Sequence, residues 1–409
     1  MNQRLTKAQW MVLVAAFLGW LFDGFEIGLF PVVARPALAS LIPGATDAII
    51  GPWMAHVTAA FLLGAASGGV LFGWLGDRIG RVRALSLSIL TYSLFTGLGA
   101  LAQVPWHLSV LRFVAALGMG GEWALGVALV MECWPERFRP LLAGAIGAAA
   151  NIGFLLTGLL ARVWPVTTDS WRWMFLVGAV PALLVFFIRL FVPESPRWRE
   201  SVRAGQAHPL REVFSPAVRG RTLVAILLAS VALIGTWGSV QWLPLWADQL
   251  VGGRDPAAKA LTMMTLGFGA IVGCLIAPLL GARMGRRPSF FLLCLVSLVA
   301  TAVIFRGVGE YGTAFLVMAF FVGATSASFY GWFPLYFPEL FPTRMRATGQ
   351  GLAYNFGRIF AAGGALIQGQ LVASLGGSYA RAGAIVTLVY LVGLAAIWLA
   401  PETKDKPLP

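Results

Sequence analysis

Apolar residues run through this chain in long unbroken blocks, and polar residues collect in short stretches between them. Twelve blocks can be drawn, at roughly 9–36, 52–75, 84–103, 107–133, 140–163, 171–192, 222–248, 259–281, 288–307, 311–337, 347–374 and 379–400. Each is near the roughly 20 residues that a helix needs to cross a bilayer. A strand barrel would show short segments of alternating polarity, and these blocks do not alternate. The pattern predicts an all-α polytopic membrane protein with twelve transmembrane helices. The first block carries acids, outruns the roughly 7–15-residue core of a secretory signal and lacks a small-x-small cleavage site. It is expected to stay in place as the first span.

Composition agrees. The 409 residues are 58% apolar and 11% charged, whereas soluble domains hold about a quarter charged residues. The net charge of +13 suits cytoplasmic loops better than a nucleic-acid partner. With both termini placed in the cytoplasm, twenty Lys and Arg fall on that side, seven on the other, and Arg112, Arg189 and Arg358 within spans. That bias sets the orientation and predicts a multi-pass cell-membrane protein, in a bacterium of the inner membrane. Cys133, Cys274 and Cys294 are scattered, and His56, His107 and His208 show no metal or triad spacing. No Gly-rich phosphate loop appears. An enzyme, an ATP-driven pump and a resident cofactor or metal therefore lack support, and a monomer in the lipid bilayer is expected.

The two halves repeat. "GWLGDRIGR" at 73–81 answers "LLGARMGRR" at 279–287, "ECWPERFR" at 132–139 answers "ELFPTRMR" at 339–346, and "PES" at 193–195 answers "PET" at 401–403. The offsets are 205, counted from Gly76 and Gly80 to Gly281 and Gly285, 207 and 208. Parallel six-helix halves suggest a transporter that rocks about a site between them. A channel would not need this repeat, and a transporter-like sensor would need an appended signalling domain. The expected organisation is a bundle over 1–192, a cytoplasmic linker over 193–221 and a second bundle over 222–409.

The glycine pattern from Gly73 through Asp77, Arg78, Gly80 and Arg81 resembles the signature of the major facilitator superfamily. Arg112 with Gly118 and Gly120 in "RFVAALGMGGEW" resembles its fourth-span motif. The "PESPRW" and "PETK" ends and the E-x-x-P-x-R-x-R loops are similar to the branch of sugar porters and metabolite:proton symporters. The acids of span one look like the aromatic-acid:proton symporters, and "GMGGEW" with "PELFPTRMRATGQG" looks like the sialate/lactate type. The resemblance implies two six-helix bundles and small-molecule transport. It also sets Glu26 where sugar:proton symporters keep a span-one acid, with Arg112 as the arginine that answers it.

Charges inside spans carry the candidate chemistry, because a charge at the bilayer centre costs several kcal/mol and usually faces a cavity with a partner. Asp23 and Glu26 are three residues apart and share a helix face. Helical rise puts Asp23 about 20 Å from Trp10 and Arg112 about 8 Å in from the outer end of span four. These depths agree, so Arg112 is expected to pair with one or both acids. Two close carboxyls do not easily both ionise, which suits proton coupling; a permanent ion pair that orients span one is the plainer reading. Glu122, about 15 Å further inward, would relay a proton or cap a helix contact near Arg78.

Arg358 lies about 16 Å into span eleven, opposite Asn151 of span five by the repeat offset. Spans seven to twelve hold no acid at that depth, since Glu310 and Glu339 belong near ends. A guanidinium there suits a substrate carboxylate; bonding to backbone carbonyls at a helix break is the alternative. Asn151, Gln241, Tyr354 and Asn355 are further substrate-contact candidates, though polar groups in spans often only join helices. Trp237, Trp242, Tyr330 and Trp332 could wall a site or face lipid. Asp77, Arg78 and Arg81 read as a gate, as do Glu132 with Arg137 and Arg139, and Glu339 with Arg344 and Arg346. Ala282 stands where Asp77 would repeat, so the latch should be tighter in the amino-terminal half. The whole reads as a proton-coupled symporter of a small organic anion, or else a sugar or polyol transporter.

Overall fold

The computed structural model describes residues 5–44, 47–164, 166–203, 209–252 and 256–409. Arg4 and Arg254 of the charge balance, and His208, lie outside them. The described residues hold helices and short turns, with no strand. The first five spans are α1 (Lys7–Leu41), α2 (Asp47–Ile79), α3 (Arg81–Leu98), α4 (Pro105–Cys133) and α5 (Arg139–Val163). The sixth is α6 (Arg172–Gly178) with α7 (Ala182–Phe191). Two surface helices follow, α8 (Pro196–Arg203) and α9 (Pro209–Glu212). The seventh span is α10 (Arg219–Gly238) and α11 (Leu243–Leu250). Then come α12 (Pro256–Met284), α13 (Arg286–Gly307), α14 (Thr313–Leu340), α15 (Arg346–Ser374), and α16 (Tyr379–Val386) with α17 (Val389–Ala396).

Ten segments among the described residues are long and apolar enough to cross a membrane. The sixth and eleventh predicted spans fall outside that count for physical reasons. The sixth breaks at Ala179–Pro181, where Pro181 has no N–H to continue the helical ladder. The eleventh, α15, has the length of a span but carries Gln350, Asn355, Arg358, Gln368 and Gln370. The seventh turns through a tight 3₁₀ segment, Val240–Trp242, ahead of Pro244. The twelfth divides at Thr387, whose hydroxyl donates to the Gly383 carbonyl at 3.0 Å, a side-chain bond that competes with the ladder.

The chain splits into two compact units: Met1–Glu136, Ile152–Ser215 and Phe341–Asn355 in the first, and Arg137–Asn151, Pro216–Leu340 and Phe356–Pro409 in the second. In the first, an apolar core gathers Leu29, Val33, Leu38, Leu108, Trp171 and Phe175. Its α2 and α4 touch through glycines. A methyl at Gly68 would stand 1.9 Å from the Leu117 carbonyl oxygen, and one at Gly120 2.0 Å from that of Ala65. Small residues are what permit such backbone approach between spans. Thr6 caps α1 through a reciprocal box with Gln9, and the Trp134 indole ties that turn to α4 by donating to the Gln9 carbonyl at 2.8 Å. In the second unit the core is built on Leu243, Trp246, Ile304, Phe315 and Val322. There α12 and α14 approach through Gly273, where a methyl would lie 1.7 Å from the Ala324 carbonyl.

One device appears in both units. Gly80 begins α3 at φ 108° and Gly285 begins α13 at φ 98°, a region open to glycine and strained for other residues. Behind each stands a glutamate that caps the new helix. Glu194 accepts from the Arg81 and Val82 N–H groups at 3.0 and 3.1 Å, and Glu402 from those of Arg286 and Arg287 at 2.9 and 3.0 Å. A methyl on Gly80 would lie 2.3 Å from Glu194 Oε2. Burial alone would raise the Glu402 carboxyl, but these N–H donors hold it below its usual range.

Two outcomes follow. Gly80→Ala combines forbidden φ with a displaced cap and should lower stability by about 1–3 kcal/mol, read as a drop in melting temperature in detergent. Because Glu402 has a depressed folded pKa, its contribution is complete above the ordinary glutamate value and fades as pH falls through the folded one. A Glu402→Gln variant should therefore lose stability at neutral pH and differ less from wild type in acid.

Candidate functional site

Two polar clusters lie deep in the first unit. Asp23, Glu26, Arg112 and Glu122 are all between 0% and 2% exposed. The Arg112 guanidinium donates to the Glu26 carboxylate from Nη1 and reaches the Glu26 carbonyl from Nη2 at 3.5 Å. Thr96 of α3 donates to Glu26 Oε1 at 2.8 Å. The Phe61 and Phe30 rings face the guanidinium at 4.6 and 5.3 Å, and a cation over a ring face is attracted to it. Asp23, one turn earlier, faces Glu122 of α4. Glu122 fits against α1 because Gly19 has no side chain; a methyl there would sit 2.1 Å from Glu122 Oε1. The Tyr92 phenol of α3 lies in the field of all three acids. Glu122 thus lies against α1 beside Gly19 and Asp23.

Chemically, this is one guanidinium answering one carboxylate, beside two carboxyls that face each other. Such a carboxyl pair shares a proton far more readily than it holds two charges in a low-dielectric interior. Aromatic rings close one side. Trp20 and Trp123 lie 6.4 Å apart, and Trp123 stacks on Tyr354 at 4.4 Å.

The second cluster centres on Arg81, fully buried at the start of α3. It donates to Asp77, to Glu132 at 3.1 Å, and to the Gly76 and Thr343 carbonyls at 2.8 and 2.7 Å. Glu132 also takes Arg346 at 2.8 Å and the Ser195 hydroxyl at 2.5 Å. Asp77 accepts from the Thr348 N–H at 2.8 Å, the Thr348 hydroxyl at 2.6 Å and the Ala347 N–H at 3.3 Å. It therefore caps the positive end of α15. All these residues belong to the first unit.

The second unit repeats most of this. Arg286 forks onto Glu339 at 2.7 and 2.9 Å and donates to the Gly281 carbonyl at 2.7 Å, while the Thr403 hydroxyl donates to Glu339 at 2.6 Å. Ala282 supplies no carboxylate where Asp77 does. The partners differ from those the loop motifs suggest. Glu132 takes Arg81 and Arg346 instead of Arg137 and Arg139, and Glu339 takes Arg286 instead of Arg344 and Arg346. A buried carboxylate is met by the buried arginine that opens the neighbouring helix. The loop arginines go elsewhere. Arg137 lies 4.7 Å over Phe138, Arg78 5.1 Å over Trp74, and Arg344 pairs with Glu212 at 2.6 Å. Arg139 is buried at the start of α5.

The remaining candidates are spread out. Arg358 is buried midway along α15 in the second unit, next to Gly357, where Ala229 and Leu233 of α10 come close. Asn151 donates to the Gly147 carbonyl at 3.4 Å and lies 3.8 Å from the Cys274 sulfur. Gln241 is exposed in the tight turn of the seventh span. Asn355, in the first unit, donates to the Gly120 and Gly351 carbonyls at 3.1 and 2.8 Å, a helix-joining role. Sequence reasoning missed Tyr92 and Thr96, ordinary residues in an apolar span. It also missed Arg286, Glu194, Ser195, Glu402 and Thr403, although the repeated "GR" and "PES"/"PET" signals contain them all.

The chain matches the Major Facilitator Superfamily over residues 12–365. It is 31% identical to an inner membrane metabolite transport protein of Escherichia coli, over 99% of this chain and 94% of that one. It is 29% identical to a cis,cis-muconate transport protein of Acinetobacter baylyi, over 88% and 87%. In structure it superposes on the proton:xylose symporter XylE of E. coli with a TM-score of 0.81 at 19% identity, covering 98% of each chain.

Removing one partner of a buried ion network strands the others. Arg81→Ala should cost about 3–5 kcal/mol, whereas Arg344→Ala, which breaks an exposed pair, should cost less than about 1 kcal/mol. Thermal unfolding of the two purified variants checks the contrast.

Proposed function

The chain belongs to the major facilitator superfamily, and from that premise we propose that it is a proton-coupled symporter of a small organic anion. It is a multi-pass membrane transporter; the coupling ion, the cargo and the working cycle are the proposal. The observation that carries the reading is the buried set of three carboxyls, Asp23, Glu26 and Glu122, gathered beside the guanidinium of Arg112, which pairs with Glu26. Buried carboxyls that face each other take up a proton when they are shut off from water and give it up when water enters. Glu26 exchanges Arg112 for a proton, and the Asp23–Glu122 pair is the second place to hold one. Tyr92 and Thr96 are the neighbouring donors.

For the cargo, Arg358 is assigned to a carboxylate. Its guanidinium is buried at mid-helix, its fork matches two carboxylate oxygens, and a relative is named for cis,cis-muconate, a dicarboxylate. Gln241, Asn151 and Tyr354 are assigned to the rest of the cargo, with Asn355 holding α15 in register. The Asp77–Arg81–Glu132–Arg346 network serves as the gate. It forms in one state and opens in the other, with the two repeat halves, 1–192 and 222–409, as the moving bodies. Both termini are placed in the cytoplasm, in a bacterial inner membrane, and the working unit is one chain.

In proteoliposomes, an inward proton gradient should drive accumulation of a small carboxylate by wild type. Glu26→Gln should abolish gradient-driven uptake while exchange of preloaded substrate persists. Wild-type pH-driven accumulation by both Glu26→Gln and Asp23→Asn would overturn the coupling assignment. Arg358→Lys keeps the charge but loses the fork, and should weaken carboxylate transport by at least about tenfold. Uptake of sugars but not carboxylates would replace the cargo assignment.

A further inference from the structure

We infer that the second unit carries a site for the headgroup of an anionic phospholipid, at the place where the first unit supplies its own carboxylate. The internal repeat is the template. At the end of α2, Asp77 sits on the N-terminus of α15 and accepts from the Thr348 and Ala347 N–H groups. The repeat counterpart of that helix start is the beginning of α5, at Arg139, and the counterpart of Asp77 is Ala282 near the end of α12. The two counterparts also meet: a methyl on Gly144 of α5 would lie 3.1 Å from the Cys274 carbonyl oxygen of α12.

With alanine in place of the acid, a cavity of about 320 Å³ opens between these two helix ends. Ala282 lines it, with Arg137 and Arg283 as its charged residues and no acid in its wall. Its remaining wall is apolar, and Leu141, Ile276 and Leu279 in it are well exposed. Two guanidinium groups beside a helix start call for an anion with several oxygens, which a phosphodiester has. Exposed leucine and isoleucine below them call for acyl chains. One molecule that offers both is a lipid with a net negative headgroup, and basic pockets at span ends are suited to such lipids. This site is independent of the cargo and the coupled ion.

The test is retention of lipid by the intact protein. Wild type, Ala282→Asp and Arg283→Gln are purified from membranes, exposed to phosphatidylglycerol or phosphatidylethanolamine, and weighed by native mass spectrometry. Melting curves confirm the fold of each variant. Wild type should retain phosphatidylglycerol in preference to phosphatidylethanolamine. Ala282→Asp places in the cavity the carboxylate that Asp77 provides elsewhere, and should erase the preference. Arg283→Gln keeps the space open and should weaken retention by about fivefold, the worth of one basic residue near anionic lipid. Equal retention of the two lipids by wild type, or an unchanged preference in Arg283→Gln, overturns the inference. Inorganic phosphate that displaces the lipid at millimolar concentration also overturns it, since the site would then hold the anion alone.

Discussion

A guanidinium that has left water must have its donors met, because an unanswered buried charge costs several kcal/mol. At Arg81 that requirement organises one end of the first unit. Meeting it takes Asp77 and Glu132, the Gly76 and Thr343 carbonyls, and, through Glu132, Arg346 and Ser195. These residues come from α2, α3, α4, the stretch before α8 and the start of α15. The glycine at 80 is part of the same solution. It turns the chain so that Arg81 opens α3 beneath Glu194, where its own N–H is capped while its side chain points into the acids.

The acid cluster of α1 and α4 obeys a different balance. Here three carboxyls gather beside the Arg112 guanidinium, among aromatic rings and two hydroxyls. The Arg81 network is closed in charge and hydrogen bonds, which makes it a holding device. In the Asp23–Glu26–Glu122 group one carboxylate meets an arginine and two carboxyls face each other. The two clusters thus pose different electrostatic problems, although both put charge inside a span.

Much of this was legible in the residues. Block length and the absence of alternation gave the helical membrane class, and three repeats at nearly one offset gave the internal duplication. The depth of Glu26 and Arg112 could be counted along two antiparallel helices, because rise per residue is fixed. Pairing at the loop ends was harder to read. Glu132 has Arg137 and Arg139 nearby in sequence, and nothing in the spacing says that the arginine starting α3 reaches it first. Depth along α4 alone does not place Glu122, because Gly19, whose missing side chain lets the carboxyl lie against α1, does not enter that count. Tyr92 and Thr96 could not be found at all by a search for charge. The breaks in the sixth, seventh and twelfth spans arise from Pro181, Pro244 and Thr387, residues that many intact spans also tolerate.

The Arg81 clasp has no contact with the medium, since the side chains of Arg81, Asp77, Glu132 and Arg346 are 0% exposed in their pairs. Dissolved ions therefore cannot screen it, whereas the exposed Arg197–Glu136 and Arg344–Glu212 pairs are open to them. A rise in ionic strength would therefore loosen those surface pairs and leave this joint as tight as before. Its strength is set by groups within the protein.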